Sequence, residues 1–250
     1  ALIFELQIVA RSHTGRVRPN NEDSIAFQAR PRQVPDRQAG HGGIAVLADG
    51  MGGLNAGEVA SHNAVDLVLQ GLDSGLSMQQ VVEDANRTIF ELSQSDPELH
   101  NMGTTLVALQ LVGDQMWLAN VGDSRVYRCR GQTLSQLTHD HSVVQQLVDS
   151  GMMTPEEART APNRNIITRA LGIEESVEVE VLQDQPADGD VYMLCSDGVT
   201  DMLEPQALAA LFGKHTSSAA LVDAIVDAAN AAGGVDNISV ILVEVKKIEP

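Results

Sequence analysis

Apolar positions along the chain follow two periods, and the places where one gives way to the other outline the architecture. The opening "ALIFELQIVA" is apolar but broken by Glu5 and Gln7, as in a first β-strand. After "SIAFQ" comes "ARPRQVPDRQAGHGG" (29–43), rich in Arg, Gln, Pro and Gly, a surface loop leading to the strand "IAVLADG". From Glu58 to Leu72 the spacing of Val59, Ala60, Ala64, Leu67 and Val68 predicts a helix. A second helix opens at Ser77, with Gln80 three residues on as in a capping box, and buries Val81, Val82, Ala85, Ile89 and Leu92. The texture then changes to short runs, "TTLVALQLV", "QMWLANV", "RVYRC" and "TLSQL", separated by "GD" or "RG", the pattern of an antiparallel meander.

Residues 142–172 read as helical again, with Thr154 as N-cap, Pro155 at the first helical position and Glu157 at the third. "VEVEVLQ" alternates strictly, as in a half-exposed strand, and "DVYMLCSDG" follows it. A helix over "SSAALVDAIVDAANAAG" buries Leu221, Ile225, Ala228 and Ala229 and is stopped by Gly233-Gly234. The last strand, "NISVILVEV", is apolar through its middle, as expected of a strand covered on both faces. There is no internal repeat and no linker. These elements predict one α+β domain over 1–250: a central antiparallel β-sandwich with helix pairs on its outer faces.

Composition narrows the function. With 16 Lys and Arg against 34 Asp and Glu, the net charge is −18, which argues against a nucleic-acid partner and suits divalent cations. Aromatic residues are only 3% of the chain, so Val, Leu, Ile and Ala must build the core. Cys129 and Cys195 each lie in an apolar run and read as core thiols of a reducing compartment. No stretch approaches the ~20 apolar residues of a membrane span, and none resembles a signal peptide. The chain opens at Ala1 without an initiator Met, which fits a processed product or an excised domain.

The chemistry is in the acids. In "MLCSDGVTD" (193–201) an apolar run stops abruptly at Asp197, and taken alone that Asp-Gly is a turn. The same event recurs at Asp49 in "IAVLADG" and Asp123 in "WLANVGDS", while Asp236 in "GGVDN" precedes a strand and Glu22-Asp23 sit in "RPNNEDS". Carboxylates gathered at strand ends repel one another unless a cation holds them, and hard ions such as Mg and Mn take carboxylates, backbone carbonyls and water.

The blocks "GRVRPNNEDS", "LADGMGG", "MGTTLVAL", "NVGDSRVYR", "LTHDHSVVQQLVDSGMMTPEEA", "LCSDGVTD" and "GGVDNISVILV" together resemble the bacterial metal-dependent Ser/Thr protein phosphatases of type 2C, from about Ile8 to Val245. The resemblance implies a metal cluster at one end of the sandwich, with Mn or Mg as cofactor. Asp49 would bridge two tightly bound ions, with the Gly50 carbonyl on one and Asp197 and Asp236 on the other. Asp23, with Glu22 beside it, would order metal-bound waters, and Asp123 with Asp197 would hold a third, weaker ion. Phosphoserine and phosphothreonine would be hydrolysed by direct attack of a metal-bridging water. Arg18, in a strand-like stretch four residues before Glu22, is the natural fork for the phosphoryl oxygens.

The pattern also departs from its relatives. Met51 stands where many eukaryotic members carry a proton-donating His, which raises the importance of Asp123. Leu54-Asn55 and Ala161 replace residues expected at the substrate rim. The stretch 139–172 matches a mobile flap, or else is a structural helical hairpin. His139 and His141 invite a metal reading, but "THDHS" is expected to cap the helix beginning at Ser142; Trp117 is expected to sit in the core, and Ser124 and Ser196 to lack the His-Asp partners of a serine hydrolase. Two rival readings stand beside the phosphatase: a catalytically weak phosphate- and metal-binding regulatory module, and a calcium-binding domain, whose acids would lie closer in sequence. The expected partners are phosphorylated proteins, the substrates of a Ser/Thr kinase. The expected state is a monomer in the cytoplasm, or the cytoplasmic domain of a longer protein.

Overall fold

The computed structural model describes residues 3–29, 41–52, 56–215 and 217–248. Two antiparallel sheets form its centre. The first has the order β1 (Ile3–His13), β11 (Ile238–Ile248), β10 (Val191–Cys195), β7 (Arg125–Arg130) and β8 (Thr133–Gln136). The second runs β2 (Asp23–Ala29), β3 (His41–Met51), β5 (Leu106–Val112), β6 (Gln115–Val121) and β9 (Glu180–Asp184), with the short β4 (Gly103–Thr104) also paired to β3.

Period-two alternation divides the strand residues between layers. On β3, Ala45 and Leu47 face the other sheet, whereas Ile44, Val46 and Ala48 face α1 (Ala56–Asp73) and α2 (Met78–Ser95). On β11, Ile241, Val243 and Val245 point into the sandwich, and Ile238, Val240 and Leu242 pack under α7 (Ser218–Ala231). Three apolar layers result, which is why the last strand is apolar on both faces. Each fully buried Leu, Ile or Val side chain contributes about 1.5–3 kcal/mol, so truncating Leu47 at the centre of the sandwich would be costly.

The helix caps form where the sequence predicts them, with one half of the expected box at Ser77 and both halves at Thr154. Ser77 accepts from the Gln80 amide, and Thr154 and Glu157 complete a reciprocal capping box ahead of Pro155. Trp117 is partly buried against the α1–α2 layer, and both cysteines are buried free thiols.

Other expectations need correction. Only α3 (Val143–Asp149) and α4 (Pro155–Thr160) are helical within 142–172; from Pro162 onward the chain is irregular, with Leu171 fully buried in the core and Ile166 exposed. In "VEVEVLQ" the strand begins at Glu180, where pairing with Asn120 of β6 starts; Val177 and Val179 pack on the α1–α2 core without a ladder partner. Arg18 lies in the irregular loop between β1 and β2, not in a strand. Patterning missed α5 (Asp197–Thr200) and α6 (Pro205–Lys214). The loop over 30–40 and Leu54-Asn55 lie outside the described residues.

Candidate metal centre

Strand register carries the acids to one end of the sandwich. Asp23 and Asp49 are direct partners across β2 and β3. Cys195 of β10 pairs with Arg125 of β7 and with Val240 of β11. Asp197 follows Cys195 by two residues, Asp123 precedes Arg125 by two, and Asp236 precedes the start of β11 by two. The four chain reversals therefore meet around one pocket of about 250 Å3, whose wall includes Arg18, Glu22, Asp49, Gly50, Asp123, Asp197 and Asp236. Of the predicted residues only Asp23 is absent from that wall. It lies behind it, buried, with its Oδ2 accepting from the Ser196 hydroxyl at 2.8 Å.

Local bonds hold these positions. The Asp49 amide donates to Thr105 Oγ1 at 3.0 Å, and its carbonyl accepts from the Thr105 amide at 2.9 Å and from Thr104 Oγ1 at 2.9 Å. Gly50 donates to the Glu22 carbonyl at 3.1 Å, and a Cβ there would lie 2.1 Å from the Gly57 carbonyl oxygen. At Gly198 a Cβ would lie 2.0 Å from the Asn237 carbonyl oxygen, so the "SDG" turn needs its glycine for close approach of two backbones. Asn237 stitches the site together: its Oδ1 accepts from the Glu22 amide at 2.8 Å, and its Nδ2 donates to the Asn20 and Thr14 carbonyls at 2.8 and 2.9 Å. It thereby shapes the loop that presents Arg18. The adjacent "DN" was the only sequence signal for it.

Electrostatics show what the pocket lacks on its own. Burial, then the neighbouring Asp23 and Asp197, hold the Asp49 carboxyl well above the usual range, and burial with Asp123 does the same to Asp197. Burial pushes Asp23 up to about 6, and burial with Asp140 pushes Asp123 up to about 7. Asp23 Oδ1 and Asp197 Oδ1 are buried without a hydrogen-bond partner. Like charges directly opposite on a ladder, such as Asp23 and Asp49, destabilise a sheet. A buried acid cluster with orphaned oxygens fits divalent cations, since an all-oxygen, anionic donor set is what Mg and Mn prefer. Among the described residues no three such side chains are already drawn into a single ligand set. The acids instead stand around the pocket, and Asp236 is engaged by Arg18, whose Nη2 lies 2.7 Å from its Oδ2.

The serines are structural. Ser124 Oγ shares a hydrogen bond with Thr105 Oγ1 at 2.7 Å, and Ser196 Oγ is committed to Asp23. The "THDHS" stretch caps its helix as expected. Ser142 itself caps α3, accepting from the Gln145 amide. His139 Nε2 pairs with Asp149 at 2.7 Å, and His141 Nδ1 accepts from the Gly122 amide at 3.1 Å. Ala161 is buried at the end of α4 rather than on the substrate rim. The 139–172 stretch is tied to the core by the Arg125–Asp140 pair, with contacts of 2.9 and 2.6 Å, and more loosely by Arg164 and Asp201 at 3.5 Å. Between it and the sheet lies a second cavity of about 250 Å3 that includes Asp123, Asp197 and Asp201; Asn165 lines both cavities.

The arrangement is that of a known class of enzyme. Residues 15–233 match the model of the family described as protein phosphatase 2C. The chain is 36% identical over 244 residues to the serine/threonine phosphatase stp of Listeria monocytogenes, covering 94% of each. It is 37% identical to the serine/threonine protein phosphatase PstP of Mycobacterium tuberculosis, covering 96% of this chain and 45% of that one. The crystal structure of the PstP catalytic domain in complex with two manganese ions superposes with a TM-score of 0.85 at 35% identity, covering 98% of this chain and all of the other. The chain belongs to the protein phosphatase 2C family and is a metal-dependent protein serine/threonine phosphatase. These relatives favour the enzyme over the regulatory module with little turnover. Among the described residues, no helix is long and apolar enough to cross a membrane.

Proposed function

We propose that the acid pocket is the active site, with Asp49, Gly50, Asp197 and Asp236 holding two Mn or Mg ions and Asp123 with Asp197 holding a third, weaker one. When bound, such ions supply Lewis acidity: they lower the pKa of water and offset charge on the phosphoryl group. Asp23 and Glu22 support the cluster from the β2 side, Asp23 as a buried acid behind Asp49 and Glu22 at the rim. Arg18, with half its side chain exposed, binds the phosphoryl oxygens through its guanidinium fork. The observation that carries this reading is the convergence of buried, like-charged carboxylates and one arginine on a single pocket. We read 1–250 as one phosphatase domain with 139–172 as its flap. It works as a monomer in the cytoplasm, or as the cytoplasmic domain of a longer protein, on the phosphoproteins made by a Ser/Thr kinase.

The test is hydrolysis of p-nitrophenyl phosphate and of a phosphothreonine peptide with Mn, Mg, Ca or a chelator. Activity with Mn or Mg, a poor response to Ca, and loss on chelation are expected, because Ca is the weaker Lewis acid for water. Full turnover in metal-free protein would overturn the assignment.

A further inference from the structure

We propose that a groove beside the acid pocket binds the polypeptide segment next to the phosphorylated residue, selecting an apolar side chain with a lysine or arginine alongside it. The inference rests on the phosphatase reading above and adds what that site prefers. At about 490 Å3 the groove is roomier than the acid pocket, and Met51 and Ile167 line both, so a chain entering one continues into the other.

Its chemistry is asymmetric. Ala170, Ile173 and Val177 give it an apolar lining. Ile173 stays 45% exposed, an unusual placement for so large an apolar residue unless something covers it. It is nonetheless fixed in place: a Cβ on Gly103 would lie 2.7 Å from its Cδ1, and Gly103 pairs with Met51. The wall therefore rides on the same strand pair that positions Gly50.

The polar rim is acidic in balance. Arg169 is already used, with Nη2 on Glu178 at 2.5 Å and Nη1 3.2 Å from His141 Nε2. Because His141 Nδ1 accepts from Gly122, a neutral ring carries its proton on Nε2, so the Arg169 approach is a packing contact that leaves the guanidinium to Glu178. Glu174, exposed at the rim, pairs with no cation among the described residues. On a chain of net charge −18 a free carboxylate beside an apolar slot recognises a cationic residue next to an apolar one. The cavity on the flap side has no cation to spare for an acidic segment: its Arg125, Arg159 and Arg164 are paired with Asp140, Glu204 and Asp201, and Asp123 and Asp197 line it too.

The experiment uses three phosphothreonine peptides that differ only in the flank: Leu with Lys, Gly with Lys, and Leu with Glu, placed in turn on each side of the phosphothreonine. Kinetics with Mn are run on the wild type, Ile173→Ser and Glu174→Lys, alongside p-nitrophenyl phosphate and with peptide binding by fluorescence anisotropy. The wild type should prefer the Leu-Lys peptide. Ile173→Ser should raise KM for it about tenfold, and Glu174→Lys should shift the preference toward Leu-Glu by about two- to fivefold. p-Nitrophenyl phosphate turnover should not change in either variant, since it does not reach the groove. Equal losses on p-nitrophenyl phosphate and peptides, indifference to the flank, or a wild-type preference for acidic flanks would overturn the proposal. If the wild type fails on p-nitrophenyl phosphate too, the phosphatase reading fails, while anisotropy still reports whether the groove discriminates the three peptides.

Discussion

Arg18 Nη2 donates to Asp236 Oδ2 at 2.7 Å, so the one cation in the pocket wall among the described residues rests on a carboxylate that the proposed metal centre needs. A guanidinium and a divalent ion on the same oxygens would compete, so loading the proposed metal centre would free the arginine for the phosphoryl group. The pair is half-exposed, so its own strength is modest.

Arg18→Ala should therefore separate two quantities that an inactive, misfolded variant would lose together. Mn affinity measured by calorimetry should hold or tighten, by up to about fivefold, because Asp236 loses its competitor. Phosphoryl transfer should fall by roughly 2–4 kcal/mol in kcat/KM on p-nitrophenyl phosphate and peptides alike, because the lost contact is to the phosphoryl group common to both. Normal turnover of p-nitrophenyl phosphate would remove Arg18 from the site.

The raised carboxyls make a prediction about pH. Asp23 goes from 3.8 to about 6 and Asp123 from 3.8 to about 7, so the folded protein binds these protons more tightly than the unfolded chain. Their contribution to stability is complete below about 3.8 and is lost as pH rises through 6 and then 7. His141, lowered from 6.5 to about 4 by burial and Arg169, acts with the opposite sign, but only below 6.5. Between about pH 6.5 and 8 the carboxyls act alone, and chelated protein should melt at progressively lower temperature. Added Mn should raise Tm at every pH and most at pH 8, where the acids are ionised. Calorimetry in chelator and in Mn checks it; a Tm that rises with pH in chelator would contradict it.

Asn237→Ala should destabilise the protein by about 1–3 kcal/mol, since the buried Asn237 side chain is the partner of the Glu22 amide and of the Thr14 and Asn20 carbonyls. Asn237→Asp is the sharper variant. It can still accept from Glu22 but cannot donate to either carbonyl, and it adds a negative charge beside Asp236. Denaturant titration should place both below the wild type. If both unfold like the wild type, the Arg18 loop is held by something else.

Much of this was legible in the sequence because each layer is written in a short period. Alternation gave the strands, the 3.6 period gave α1, α2 and α7, and Thr154-Pro155-Glu156-Glu157 gave a capping box. What failed was non-local or too short. α5 is one turn and has no period to detect, and α6 carries only one fully buried residue, Leu208. Val177 and Val179 alternate like a strand, yet a strand needs a neighbour, and pairing with β6 begins only at Glu180. In the site, six motif residues reached the pocket wall because they sit at or beside strand ends, which register controls, while Arg18 reached it on the loop between β1 and β2. Asn237, Asn165 and the Arg125–Asp140 tie were not legible, since their meaning lies in partners distant along the chain.

Asp123 carries the most discriminating prediction. It lies between β6 and β7, where a turn residue would suffice, but burial and Asp140 raise its carboxyl to about 7 and it lines both cavities. Its neighbours explain the turn without it: Gly122 is clasped by His141 through both backbone groups, and Ser124 is bonded to Thr105. Removing the carboxylate should thus leave the fold intact, with a Tm in chelator equal to or above the wild type because one repelling charge is gone. The two tight metal sites proposed for Asp49, Asp197 and Asp236 should survive in Asp123→Ala, with a weaker third equivalent lost from the calorimetric titration. Proton delivery to the leaving group matters far more for a serine alkoxide than for p-nitrophenolate, and Met51 in the pocket wall has no proton to give. Turnover of a phosphoserine peptide should therefore fall by about 10²–10⁴-fold and that of p-nitrophenyl phosphate by much less. A variant with unchanged peptide turnover would make Asp123 a turn residue and leave the leaving-group proton to another donor.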